Sequence, residues 1–320
     1  MLKGVISLGI IFGALFIAYN MYGSYSEKRI ESVHKALLKR GHDILHVIAS
    51  NSSDDVDLFV KQNYFEKDEK LISTRGLYAN ETNGTIPISV VALEMPTELT
   101  EAFLKPAQFG INHSQILVKD ELLALAGPFI TSAIPLDAIT VRKESFNRIL
   151  ILGSGIGTIA NYYATRAATG RILVEAVEPR TDIMETAKNY FEVANTSRVT
   201  YLNEELMAMV DHSFRMGVKY DSIHVSSCDL NSTNCPTSRP DKLALILSKT
   251  GILTYSLNRE IGDDAFTELM KTYHQSFKNC FNMGMTEPIQ VIFCNFKEIT
   301  SSIDELAKIR TYAADFDQMT

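Results

Sequence analysis

The chain has 320 residues, 46% of them hydrophobic, enough to bury a substantial core as one large domain with an appendage. A formal net charge of -7 and a pI near 5.6 argue against a nucleic-acid binder held by bulk charge, and no basic run with interleaved aromatics offsets that balance. The four cysteines, Cys228, Cys235, Cys280 and Cys294, are too few and too clustered for a disulfide scaffold, and no Cys-x-x-Cys pair or zinc-ligand histidine spacing points to a metal.

Residues 4–26 carry no charge; Val5 to Tyr19 is the most apolar part, and Lys3 and Glu27-Lys28-Arg29 are the flanks. About twenty such residues cross a bilayer as a helix, so residues 1–26 are expected to be a transmembrane anchor. A cleaved signal peptide has a similar start, but no good small-x-small cleavage site comes after it. The side on which the body lies is contested. Lys28, Arg29, Lys35, Lys39 and Arg40 after the span favour a cytosolic body by the positive-inside rule. Against this stand six Asn-x-Ser/Thr sequons, at Asn51, Asn80, Asn83, Asn112, Asn195 and Asn231, where chance supplies about two or three. The excess tilts the expectation towards a luminal, glycosylated body in the endomembrane system or at the cell surface.

Residues 27–60 read as a helical linker: Ile30, Val33, Leu37, Leu38, Ile44, Leu45 and Ile48 suit one amphipathic helix, or two short ones broken at Gly41. Residues 61–120 carry short apolar or alternating runs, such as Ile88 to Leu93, between Asn, Gly and Pro, and are expected to form a small β-rich extension. Asp120 to Ala133 then reads as helix with a break at Gly127-Pro128.

From residue 121 onwards the chain is organised around Arg148 to Pro179. The branched run Ile149 to Leu152 suits a strand buried on both faces. The turn Gly153-Ser154-Gly155-Ile156-Gly157 lets the backbone bend tightly and approach a ligand at the positive end of the next helix. Glu178, at the tip of the following strand, is placed to accept hydrogen bonds from a ribose hydroxyl pair. A tight turn that needs glycine for sterics alone is the bland alternative, but strand, turn, helix, strand and acid occur in the required order.

Beyond it, helical spacing over Asp182 to Val193 leads to a strand at Val199 to Leu202, and Glu204 and Glu205 open a helix. Next come a strand at Asp221 to Ser227, a polar loop to Pro240, a helix over Asp241 to Lys249 and a strand from Gly251 to Asn258. A helix over Asp263 to Lys278, a strand at Ile289 to Phe296 and a helix over Ile303 to Ala314 close the chain. This alternation predicts an α/β fold over residues 121–320: a doubly wound, mostly parallel Rossmann-like sheet with its ligand crevice at the carboxyl ends of the strands. His224, mid-strand between Ile223 and Val225, reads as a satisfied core histidine.

Over residues 115–315 the sequence resembles the spermidine-synthase-like class I methyltransferases, in particular the carboxy-terminal half of the two-domain eukaryotic methyltransferase that modifies elongation factor one alpha. The resemblance rests on ILILGSGIG at 149–157, VEPRTDIMETAKNYF at 177–191, YDSIHVSSCDLNSTNCP at 220–236, ILSKTGILTYSLNRE at 246–260 and PIQVIFCNF at 288–296. It implies that S-adenosylmethionine is the cofactor, held by Gly153, Ser154, Gly155 and Gly157 at its methionine part, by Glu178 at the ribose and by Glu204 at adenine. A protein or small-molecule nucleophile would accept the methyl group. The chain departs from the family at Ser226, where relatives place a carboxylate that helps deprotonate an attacking amine. A serine hydroxyl is no such base at neutral pH, so aminopropyl transfer is disfavoured. Asp229 keeps the second acid of that region and is the candidate catalytic residue. A silent relative, with the fold kept as a membrane-tethered interaction module, is the other reading.

Overall fold

The structure, a computed structural model, describes residues 26–48, 57–81, 84–96, 99–135, 138, 146–166, 170–226, 234–258, 263–282 and 289–296. Helix α1 covers residues 26–40 and buries Val33 and Leu37. Gly41 ends it at φ +73°, a conformation glycine adopts without strain, and returns its N–H to the Leu37 carbonyl. The next element is strand β1 (His42–Ile48), not the second helix expected there. Ile44, Leu45 and Ile48 fit either period. The ladder from His42↔Asn63 to Ile48↔Leu58 on β2 (Leu58–Lys67) decides for the strand, so a β-sheet begins inside the expected helical linker.

β3 (Lys70–Glu81), β4 (Gly84–Leu93) and β5 (Ile111–Ile116) complete an antiparallel sheet in the order β1-β2-β3-β4-β5. Along β2 the alternation is plain, with Leu58, Val60, Gln62 and Tyr64 turned inward. Helix α2 (Lys119–Ile130) runs through Gly127-Pro128 instead of breaking there. Pro128 stands in the last turn, so the one backbone bond it cannot donate lies close to the helix end, and Thr131 caps that end by donating both N–H and hydroxyl to the Gly127 carbonyl. Gly127 is present for proximity: a Cβ there would lie 2.4 Å from the Phe293 ring.

The second sheet contains β6 (Asn147–Leu152), β7 (Ile172–Val177), β8 (Val199–Leu202), β9 (Tyr220–Val225), β10 (Leu247–Asn258), β11 (Asn279–Asn282) and β12 (Ile289–Asn295), in the order β11-β12-β10-β9-β6-β7-β8. The five strands from β6 to β10 pair in parallel, and β12 runs antiparallel to both β10 and β11. The helices are α3 (Thr158–Arg166), α4 (Thr181–Tyr190), α5 (Leu206–Arg215), α6 (Pro240–Ile246) and α7 (Asp263–Ser276). Ile149, Ile151, Val174 and Ala176 pack to one side, with α2 and α3. Leu150, Leu152, Val177 and Ile223 pack to the other, with α5, α6 and α7. This is the mostly parallel Rossmann-like α/β sheet expected. Its order reverses between β6 and β9, the place at which such sheets bind ligands.

Three details differ from expectation. Helix α6 stops at Ile246, and Leu247 to Lys249 already belong to β10. The four-residue strand β11, taken from the expected helix end onward, is too short to show a period. Its Cys280 faces Cys294 of β12, and the two are joined by a disulfide; Cys235 is disulfide-bonded as well. The expected span at residues 4–26 lies outside the described residues except for Ser26, as does the closing helix at 303–314. Among the described residues no helix is long and apolar enough to cross a membrane.

The two sheets share a core in which Leu77 and Val91 meet Ile156, Ile183 and Phe191. Arg75, on the same inward face and 5% exposed, adds a polar clamp. It donates to Gln62 Oε1 at 2.8 and 3.1 Å, to the Tyr190 carbonyl at 2.8 Å and to the Pro106 carbonyl at 3.0 Å. Tyr190 ends α4, so its carbonyl sits at the negative end of that helix, where a cation is favoured. Replacing Arg75 with Ala removes its donors from Gln62 Oε1 and from the Tyr190 and Pro106 carbonyls, the last keeping only the long bond from Phe109 N–H. The expected cost is about 2–4 kcal/mol, read as a lower urea midpoint; a midpoint equal to the wild type's would show that the clamp contributes nothing.

Candidate cofactor site

Strand β6 delivers the glycine turn to the switch point. Gly153, Gly155 and Gly157 all have positive φ, at +82°, +55° and +80°. Their surroundings differ. A Cβ on Gly157 would lie 2.7 Å from Val193 Cγ2, and one on Gly153 would lie 3.1 Å from Ser226 Cβ. Gly155 has nothing within 4 Å of that position, so its open face is the one a ligand can approach. The turn is closed by its neighbours: the N–H groups of Gly153 and Ser154 both donate to the Val177 carbonyl at 2.9 Å, and Gly157 N–H donates to the Ser154 carbonyl. Ser154 Oγ is buried without a partner among the described residues.

Glu178 comes directly after β7 and is 5% exposed. Its Oε2 accepts from Gly155 N–H at 2.8 Å, and its Oε1 accepts from Arg180 N–H at 3.1 Å. Burial pushes this carboxyl above the usual range, while the two backbone donors pull it back. Asn203, after β8, fixes the same corner: its amide donates to the Glu178 carbonyl at 2.7 Å, and its oxygen accepts from Thr181 Oγ at 2.9 Å. Glu204 is exposed in the connection to α5, which begins at Leu206 with Glu205 as N-cap; the two acids precede the helix rather than open it.

On the other side of the switch, Ser226 donates its hydroxyl to the Gly153 carbonyl at 2.6 Å and its N–H to the Leu152 carbonyl at 2.9 Å. The hydroxyl braces the turn, and an ionised carboxylate in its place would have no proton to give. Asp229 lies outside the described residues. His224 is a core residue, yet only partly satisfied. It bonds to the Thr254 backbone while Nδ1 has no partner among the described residues, and burial pushes its pKa down to about 4.

The structure also assembles a group that sequence reasoning missed. Ser89 Oγ of β4 donates to Glu121 Oε1 of α2 at 2.5 Å and lies 2.7 Å from Thr158 Oγ1, the first residue of α3. Burial pushes the Glu121 carboxyl up to about 8. In the sequence, Glu121 is one of two acids in the first turn of a helix, a placement the macrodipole favours anyway, and nothing marks it out.

No family model matches the sequence, and no curated relative does. Among solved structures, the chain is similar to human methyltransferase-like protein 13 in complex with SAH, at 17% identity and a TM-score of 0.47 over 62% of this chain and 90% of that one. It is also similar to spermidine synthase from Thermotoga maritima (13%, TM-score 0.44, 82% of this chain and 75% of that one). A third similar structure is fibrillarin from Aeropyrum pernix with S-adenosyl-L-methionine bound (12%, TM-score 0.39, 79% and 99%).

The Ser226 bond sets a stability order. Ser226→Ala is expected to cost about 1 kcal/mol, and Ser226→Asp about 2–3 kcal/mol, because it also turns an acceptor onto the Gly153 carbonyl. Thermal midpoints of the two variants decide it; equal midpoints would remove the serine proton as the reason.

Proposed function

We propose that the chain is an S-adenosylmethionine-dependent methyltransferase, with its cofactor in the crevice beside the Gly153–Gly157 turn. One observation carries the reading: a buried acid at the tip of β7 holds the N–H of Gly155, whose other side is open, at the switch point of a Rossmann-like sheet. The residues fit such a group. Each Glu178 oxygen accepts one backbone N–H and keeps lone-pair capacity for a ribose hydroxyl. Ser154 Oγ is a buried polar atom still in need of a partner, and the first turn of α3 presents its positive end to an anionic group. Glu204 is the candidate for the adenine amino group.

Bound S-adenosylmethionine supplies an electrophilic methyl group on a sulfonium. The protein's task is to align a lone pair with it, which needs position more than acid–base chemistry. The acceptor class proposed is a protein amine or another small nucleophile, with Asp229 as the candidate group to receive it. Residues 1–26 are proposed as a bilayer anchor. A luminal body is supported by the sequon excess and by the Cys280–Cys294 disulfide, a bond that persists in oxidising compartments. Ser226 favours a second reading, a catalytically silent module. Its hydroxyl is committed to the Gly153 carbonyl, where relatives of the resembled family carry an acid.

The deciding experiment titrates S-adenosylmethionine and its decarboxylated form calorimetrically into the detergent-solubilised full chain. Binding of the first, weakened about tenfold or more by Glu178→Ala, is expected, on the scale of a lost charged hydrogen bond. Preference for the decarboxylated form would favour aminopropyl transfer instead, and binding of neither would leave the silent module. For the membrane face, treatment with an N-glycosidase is expected to increase gel mobility; an unchanged band on the intact chain would count against a luminal body.

A further inference from the structure

Three side chains from three elements converge beside the cofactor turn. Ser89 comes from β4 of the antiparallel sheet, Glu121 from the first turn of α2, and Thr158 from the first position of α3, directly after Gly157. Ser89 Oγ stands 2.5 Å from Glu121 Oε1 and 2.7 Å from Thr158 Oγ1, and Thr158 bonds to the Glu121 carboxyl as well. Ser89 and Thr158 are 4% exposed. Glu121 as a whole is half-buried, but its Oε2 is buried without a partner among the described residues.

From this geometry we infer that Glu121, in its uncharged form, is a positioning residue for the cofactor turn, tying the antiparallel sheet to the start of α3. The inference rests on the cofactor reading above. The groups that face the carboxyl from the packed elements are hydroxyls, Ser89 from β4 and Thr158 from α3, and the charge that bears on it is the like-signed Asp120 of its own helix. No cation bonds to it among the described residues. A protonated carboxyl can donate one hydrogen bond and accept others, which suits two hydroxyl neighbours. An ionised one can only accept, and its buried charge would have no counter-ion. Burial, with the like charge of Asp120, holds the group neutral up to about pH 8 against the pull of the two hydroxyl bonds towards the ionised form.

Linkage fixes the sign of the pH dependence. The folded state holds this proton more tightly than the unfolded chain, whose Glu titrates near its ordinary 4.5. The stabilising contribution is complete below that value and is lost as pH rises through about 8. Ionisation then favours parting β4 from α3 to admit water, and the first turn of α3 loses its support beside Gly157.

The test is calorimetric affinity of the detergent-solubilised full chain for S-adenosylmethionine between pH 6.5 and 9, at a temperature well below unfolding, on wild type, Glu121→Gln and Glu121→Ala. Wild-type affinity is expected to fall about tenfold between pH 7 and 9, following ionisation of one coupled group. The Gln variant, which keeps a donor and an acceptor but cannot ionise, should show a flat profile, and the Ala variant weak binding throughout. A Gln profile as steep as the wild type's, or a flat wild-type profile, overturns the positioning role while leaving the cofactor reading intact. Absence of wild-type binding at every pH overturns the cofactor reading, and this inference with it.

Discussion

The N–H of Gly155 points at the carboxylate of Glu178 across 2.8 Å, and much of the molecule is arranged so that these groups can meet. One comes after β6 and the other after β7, and the parallel register that sets Leu152 opposite Val177 brings the two strand ends level. The Val177 carbonyl then collects two N–H groups from the turn, and Glu178 collects a third. A carboxylate this buried is tolerable only with donors at hand, and Gly155 and Arg180 provide them from the backbone. The strands can stand side by side at the centre of a sheet because their residues are apolar on both faces, covered by α2 and α3 on one side and by α5 to α7 on the other.

The antiparallel sheet is fixed to this framework by two buried polar groups of opposite kind that are not each other's partners. Arg75 meets a side-chain amide and backbone carbonyls, and Glu121 meets two hydroxyls. Each is met by neutral dipoles rather than by a counter-ion, so each demands a particular geometry where an apolar contact alone would tolerate sliding. Their attachments also differ. Arg75 holds the end of α4, the helix that Glu178 leads into, while Glu121 holds the start of α3, the helix that the glycine turn leads into. The antiparallel sheet therefore touches both α4, which follows Glu178, and α3, which follows the glycine turn, and touches each through a hydrogen bond.

How far the sequence could be read depended on the range of the forces involved. The central strand, turn, helix and strand were legible because burial on both faces and three glycines in a positive-φ turn leave a local signature. β1 was not, since Ile44, Leu45 and Ile48 suit a helix as well as a strand until β2 is there to pair with. β11 is four residues long, and the Cys280–Cys294 bond depends on its being beside β12. The continuity of α2 through Pro128 was hidden because the close contact that calls for Gly127 is with Phe293, far along the chain. In the candidate site, Gly155 and Glu178 could be picked out as candidates from their spacing. The Ser89, Glu121 and Thr158 group could not, because each member is unremarkable until three elements meet.

Ser226 acts on the frame of the glycine turn and on acid–base chemistry in different ways. Its hydroxyl reaches the Gly153 carbonyl from β9, while Glu178 reaches the Gly155 N–H from β7, so the turn is gripped from both sides of the switch point. Both grips act on the backbone and neither consumes the open face at Gly155, so a serine here strengthens the frame that would receive a nucleoside. The same serine has no basicity at neutral pH to contribute to an acceptor. A methyl acceptor whose lone pair is already free needs no base at this point, whereas an ammonium acceptor must lose its proton to some other group. Ser226 thus supports the geometry of the frame and offers no base beside it.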